Sequence, residues 1–160
     1  MAVTITVNSN SYVTLEEANS ILEAVFDNQE WQSLTDEQKK VCLVNATNKI
    51  NMLFVKGEKL DNMYLKGTKM SETQEMQFPR DWETDVSEKI KMAQCYEALE
   101  ICRYNYKRAK EQSAGVVSRS MESVSVTYSG KEPRKYGGKL LSEDAFNFIR
   151  SYLLLTYSRC

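Results

Sequence analysis

The stretch Met76–Gln112 sets the terms on which the rest of the chain can fold. It opens with MQFPRDW, crosses an acidic run and enters the longest helical pattern in the sequence. Pro79 fixes its own φ and steers Phe78 towards an extended backbone, so Gln77–Arg80 reads as a rigid elbow. The expected role of QFPRDW is a structural corner, with Phe78 and Trp82 in the core and Arg80 in a local ion pair. Asp85 reads as an N-cap, with Val86 as the first helical residue and Glu88 at the third position of a capping-box-like start. At about 100° per residue, Met92, Cys95, Tyr96, Leu99, Cys102 and Tyr106 share one face. Ile90, Ala93, Ala98, Ile101 and Tyr104 line roughly the opposite one. A helix with two apolar stripes must be packed between neighbours, which predicts a central helix from about Val86 to Gln112. Ser113–Gly115 supplies its stop.

At 160 residues the chain can bury one core without covalent staples. No apolar run approaches the length of a membrane span, and MAVTITVNSNS has no signal-peptide pattern, so a cytosolic, non-membrane protein is expected. Cys95 and Cys102 stand seven residues apart on one helix, roughly 10 Å along its axis and too far for a disulfide. Without a CxxC pair, Cys42, Cys95 and Cys102 read as small core residues.

Histidine is absent altogether. That removes Ser-His-Asp and Cys-His catalysis, His-containing zinc sites and the commonest general base. There is no Gly-rich phosphate loop, because Gly137–Gly138 is a lone pair in a basic loop. No catalytic residue, cofactor site or metal site is predicted, and the chain is not expected to be an enzyme.

The formal charge of −1 hides an asymmetry. Residues 1–102 carry 10 Lys/Arg against 17 Asp/Glu, whereas residues 103–160 carry 11 against 5. Such a split suits a polar partner, nucleic acid or head-to-tail self-assembly, and equally an unevenly charged solvated surface.

Before the central helix, Val3, Ile5 and Val7 alternate like a short strand. Thr14 and Glu17 form a capping box for a helix with Leu15, Ala18, Leu22 and Val25 on one stripe, ending by Asn28. Trp31 and Leu34 lie in the connection, placed to plug the space between helices. Thr35 and Gln38 form a second capping box. Leu43, Ala46, Ile50, Leu53 and Gly57 then share a face, flanked by Cys42 and Phe54, and Gly57 ends the pattern. Residues 58–75 are polar with a small apolar group at Leu60, Met63, Tyr64 and Leu65, readable as a loop or a short extra helix.

Beyond the central helix, Val124, Val126 and Tyr128 alternate with hydroxyl residues, the period of a strand. A lone strand is unstable, so it pairs in a hairpin with the 116–121 stretch or with another chain. A basic loop, KEPRKYGGK, follows. Ser142 caps a last helical segment with Glu143 and Asp144 in its first turn. Its apolar residues, among them Tyr152, Leu153, Leu154, Leu155 and Tyr157, are too many for a solvated tail. They pack in the domain or meet a partner. The fold class is therefore mainly α: a helical bundle domain over 1–115, a β strand or hairpin with a basic loop over 116–141, and a C-terminal helical segment over 142–160.

Five pieces occur in order: SYVTLEEAN at 11–19, Trp31 followed by LTDEQK, ATNKIN with Phe54–Gly57, QFPRDW, and SVSVTYS. Together, over about residues 11–130, they resemble a family of small tailed-phage proteins labelled DnaT-like single-stranded-DNA-binding proteins. That family is similar to head-completion, or head–tail connector, proteins. This chain departs from the pattern in its longer link between Gly57 and Gln77 and in Phe78, where Trp is expected.

The resemblance implies a structural adaptor of the virion neck, assembled in the host cytoplasm. Its implied partners are the portal protein, a neck or tail-completion protein, further copies of itself in a dodecameric ring, and the packaged DNA passing through the channel. Val124, Val126 and Tyr128 are the expected subunit interface, and Tyr152, Leu153, Leu154, Leu155 and Tyr157 the expected portal contact. Arg103, Lys107, Arg108, Lys110, Lys131, Arg134 and Lys135 are the expected contacts with channel DNA or another polar partner. The alternative is a single-stranded-DNA-binding protein, which needs a basic groove interleaved with exposed aromatics. The candidates for that groove are Arg103, Tyr104, Tyr106, Lys107, Arg108 and Lys110. A pI near 5.7 speaks against an autonomous nucleic-acid binder.

Overall fold

A computed structural model describes residues 2–53, 63–113, 119–121, 124–126 and 140–155. Its elements in chain order are α1 (Leu15–Glu23), α2 (Gln29–Gln32), α3 (Asp36–Met52), β1 (Met63–Leu65), α4 (Glu88–Ser113), β2 (Arg119–Met121), β3 (Val124–Val126), α5 (Glu143–Ile149), a 3-10 turn (Arg150–Tyr152) and β4 (Leu153–Leu155). The molecule is mainly helical and is built around α4, as its double stripe requires.

Local chemistry sets most helix starts. Thr14 and Glu17 exchange side-chain and backbone bonds at the start of α1, and Thr35 and Gln38 do so at α3. Ser142 accepts the Ala145 amide N–H at the start of α5. The α1 helix stops at Glu23, earlier than its stripe suggests, because the Asn28 side-chain amide takes the Leu22 carbonyl at 2.7 Å. Within the connection, Trp31 is buried in the single turn of α2 and its indole N–H donates to Asn19.

α4 lies between two apolar clusters. One gathers Cys95, Ala98, Leu99, Ile101 and Cys102 with α1, Trp31 and the Leu43–Ala46 part of α3, so Ala98 and Ile101, expected on the opposite stripe, join it. The other gathers Ile90 and Ala93 with Tyr12, Ile50, Phe78, Ala145 and Ile149, and Tyr96, expected with Cys95, packs against this second cluster instead. Cys42, Cys95 and Cys102 are free and buried, as small core residues should be. Burial holds their thiols above the ordinary value, to about 11, 12 and 11 respectively.

Several local expectations are corrected. The helix α4 begins at Glu88, not Val86, and Asp85 is not its cap. The Ser87 carbonyl accepts the first helical bonds, from Ile90 and Lys91. Val3–Val7 is not a strand: the Asn10 side chain bonds Thr4 and Thr6, folding the segment back so that Val7 makes only an isolated bridge with Ser11. Met63–Leu65 is neither loop nor helix but a strand. It pairs antiparallel with Leu153–Leu155, Tyr64 opposite Leu154. The C-terminal helix accordingly gives way at Ile149, and the leucines after Tyr152 run extended. Val124–Val126 does take its predicted hairpin partner, with Ser125 opposite Ser120. Phe54, Gly57, Leu60, Gly115, Tyr128 and Tyr157 lie outside the described residues.

Candidate interaction site

Two polar residues hold α4 in place, and both sit inside its second apolar stripe. Gln94 is fully buried. Its side-chain oxygen accepts the Tyr12 amide N–H at 2.9 Å, and its amide nitrogen donates to Ser11 Oγ at 2.7 Å and the Leu43 carbonyl at 3.1 Å. One turn later, the equally buried Glu97 accepts from Lys49 Nζ at 2.8 Å and from the backbone amides of Leu141 and Ser142. Gln94 thus ties the N-terminal segment to α3, and Glu97 ties α3 to the start of α5. A charge without water is tolerable only when paired and hydrogen-bonded, and Glu97 is both.

The MQFPRDW corner is built on Arg80, which is buried but does not make the expected ion pair. Its guanidinium donates to the carbonyls of Lys66 (3.0 Å), Gly67 (2.6 Å) and Gln77 (3.1 Å). Burial lowers its pKa from the usual guanidinium value, with Asp81 and Glu83 acting the other way. The corner therefore folds the 66–67 turn onto the elbow. Gly67 has φ +63, and a Cβ there would come within 2.3 Å of Trp82 Cζ3. Only glycine lets the indole lie so close.

From the core outward runs an aromatic series. Tyr12 meets Phe78 edge-on at 6.0 Å, Phe78 meets Tyr152 at 5.1 Å, and Trp82 stacks on Tyr152 at 6.2 Å with 22° between planes. The Phe78–Pro79 peptide is cis. Phe78 is in the core as expected, but Trp82 is not: it is 53% exposed. The Tyr152 hydroxyl lies 2.5 Å from both Ser87 Oγ and Glu83 Oε1. Burial first, and the Glu83 carboxylate second, push that phenol up to about 12. Asp81 and Asp85 are exposed beside the indole in sequence.

The other predicted site residues are distributed as follows. Tyr152 and Leu153 are buried within the chain, whereas Leu154 is 48% exposed and Leu155 pairs opposite Met63. Val124 and Val126 lie in β3. Arg103 sits among its own carboxylates: it pairs with Glu100 at 2.6 Å, Asp27 at 3.3 Å and Glu30 at 3.9 Å, and donates to the Asp27 carbonyl. That places three acids around one cation, a poor arrangement for receiving phosphate. Lys107, Arg108 and Lys110 fall in the last turns of α4. Lys131, Arg134 and Lys135 lie outside the described residues.

Among the described residues no group of His, Cys, Asp and Glu is arranged to hold a metal ion. No described helix is long and apolar enough to cross a membrane. What these elements define is a small helical bundle with two short two-stranded sheets and an aromatic corner beside the start of its central helix. Residues 2–154 match the model of the family described as "Putative DnaT-like ssDNA binding protein". The match takes in most of the chain, and the chain belongs to that family. No curated protein and no solved structure matches it.

Sequence reasoning missed Gln94, Glu97 and the exposure of Trp82. A signal for the first two exists. Gln94 stands four residues from both Ile90 and Ala98, and Glu97 four from both Ala93 and Ile101, so each interrupts an otherwise apolar stripe.

Proposed function

We propose that the chain is a non-enzymatic structural adaptor of a tailed-phage head, assembling as a ring beneath the portal and extending the DNA channel. The observation that carries this reading is the β2–β3 hairpin, which among the described residues forms a sheet of only two strands. Among the described residues each strand has one edge that no other strand pairs with, a template for pairing with another chain. A bundle fixed internally by Gln94 and Glu97 suits a subunit that repeats the same contacts around a closed ring. The proposed partners are the portal protein, a neck or tail-completion protein and further copies of this chain.

A second reading, single-stranded-DNA binding, is favoured by the family description. Against it stand the neutralisation of Arg103 and the acidic balance of residues 1–102.

Electron microscopy of portal-bearing, DNA-filled heads incubated with purified protein separates the two. The adaptor reading expects a ring of added density below the portal. Tight binding to a single-stranded oligonucleotide at physiological salt, with heads left unchanged, overturns it.

A further inference from the structure

Trp82 has one side fixed and the rest in water. It stacks on Tyr152, lies across Gly67 and is held at the end of an elbow tied by Arg80 to three carbonyls. Little side-chain freedom remains for a partner to remove, which is the condition under which an exposed aromatic contributes most to an interface.

The neighbouring groups select the sign of that partner. Asp81 and Asp85 are exposed, and Glu83 spends its two oxygens on the Tyr152 hydroxyl and the Arg80 amide. Exposed carboxylates on the segment that carries the indole disfavour phosphate and favour a lysine or arginine. The indole face draws the same cations through its quadrupole, and a guanidinium can also stack on it.

The basic end of this chain cannot reach its own corner. Trp82 is held beside the first turn of α4 through Tyr152 and Ser87. Lys107, Arg108 and Lys110 stand in the last turns of the same unbroken helix, about 30 Å along its axis. The two stretches therefore stand at opposite ends of α4, and copies related by a rotation can bring them together head to tail.

We infer that Trp82, flanked by Asp81 and Asp85, receives the basic C-terminal turns of α4, residues 104–110, from a neighbouring copy of this chain. This rests on the ring reading and names one of its contacts. It assigns the opposite charges of the two parts of the sequence to opposite sides of one interface. Tyr104, 37% exposed, stands beside those cations in sequence and adds an aromatic surface to the docking segment.

The test uses the full-length protein with portal-bearing heads. One variant carries Asp81→Lys and Asp85→Lys; another carries Lys107→Glu, Arg108→Glu and Lys110→Glu. Both are first shown to keep the wild-type circular dichroism and thermal transition. Each reversal should weaken self-association and ring formation at least about tenfold, the scale of losing one central anchor. An equal mixture of the two variants should restore assembly, because each corner then meets an end of opposite charge.

Iodide quenching of the wild-type protein gives a readout that needs no variant. Trp31 is buried and Trp82 is not, so the quenchable signal belongs to Trp82 and should fall as copies associate. Rings that form normally with either reversal overturn this contact and leave the ring reading standing. Failure of the mixture to restore assembly overturns the pairing of these two patches. Wild-type protein that never self-associates, in solution or on heads, overturns the ring and this contact with it. Protection of Trp82 by an oligonucleotide instead of by self-association assigns the indole to a base and also overturns the inference.

Discussion

The Glu97 carboxylate receives the Ser142 amide N–H at 2.9 Å, from a residue 45 positions later in the chain. The same side chain holds Lys49 and Leu141, so one carboxylate joins α3, α4 and the entry to α5. Glu97→Ala leaves two backbone donors and an ammonium without their acceptor. It should cost about 3–5 kcal/mol in a urea titration, the scale of breaking a buried pair from one side. Lys49→Met should cost less, because the Lys49 side chain is 29% exposed and Glu97 keeps its two amide donors. Equal losses in the two variants would show that the ion pair, not the tie to α5, dominates.

Much of this was legible because it is local. A capping box spans four residues, so Thr14, Thr35 and their partners declare helix starts without reference to the rest of the fold. The two stripes of α4 declare that it is sandwiched. The strand β4 was not legible. Its three leucines have no period that separates strand from helix, and its partner Met63–Leu65 lies some 90 positions earlier. Trp82 was misplaced for a different reason. Hydrophobicity sends an indole inward, but the corner is already filled by Phe78 and Tyr152, and only the surface above Gly67 is left for it.

Gly67→Ala tests that corner. The residue sits at φ +63, where a side chain costs about 1–2 kcal/mol in backbone strain alone. Its new methyl group would also collide with Trp82 and Asp81. The variant should melt lower than wild type, and its tryptophan emission should shift red as the indole leaves Tyr152. An unchanged emission spectrum would contradict the close packing of Trp82 on Gly67.

Stability should fall on the alkaline side. Cys42, Cys95 and Cys102 have ordinary thiol values near 9.0 and are raised to about 11, 12 and 11; Tyr152 is raised from 10.0 to about 12. Each group holds its proton more tightly when folded. Its contribution is complete below the unfolded value and is lost as pH rises to the folded one. The urea midpoint should therefore decline from pH 9 and more steeply above pH 10. Tyr152→Phe removes the hydroxyl bonds to Ser87 and Glu83, so it should lower the midpoint at pH 7. It should also flatten the decline between pH 10 and 12. A variant that declines as steeply as wild type would deny Tyr152 its share.

The C-terminal segment has two roles that can be tested apart. Removing residues 143–160 would take Ala145, Ile149 and Tyr152 out of the second apolar cluster. The truncated chain should lose its cooperative transition, and its failure to join heads would say nothing about a portal contact. A single exposed position answers better. Leu154 is 48% exposed on a strand that, among the described residues, pairs only with β1, whereas its neighbour Leu153 is buried. Leu154→Asp should change stability by no more than about 0.5 kcal/mol, as surface substitutions do. Leu153→Asp, which places a charge among apolar groups, should be strongly destabilising. If the tail engages the portal, the Leu154→Asp protein will melt like wild type yet fail to sediment with portal-bearing heads. Co-sedimentation equal to wild type would leave the extended leucines with a packing role alone.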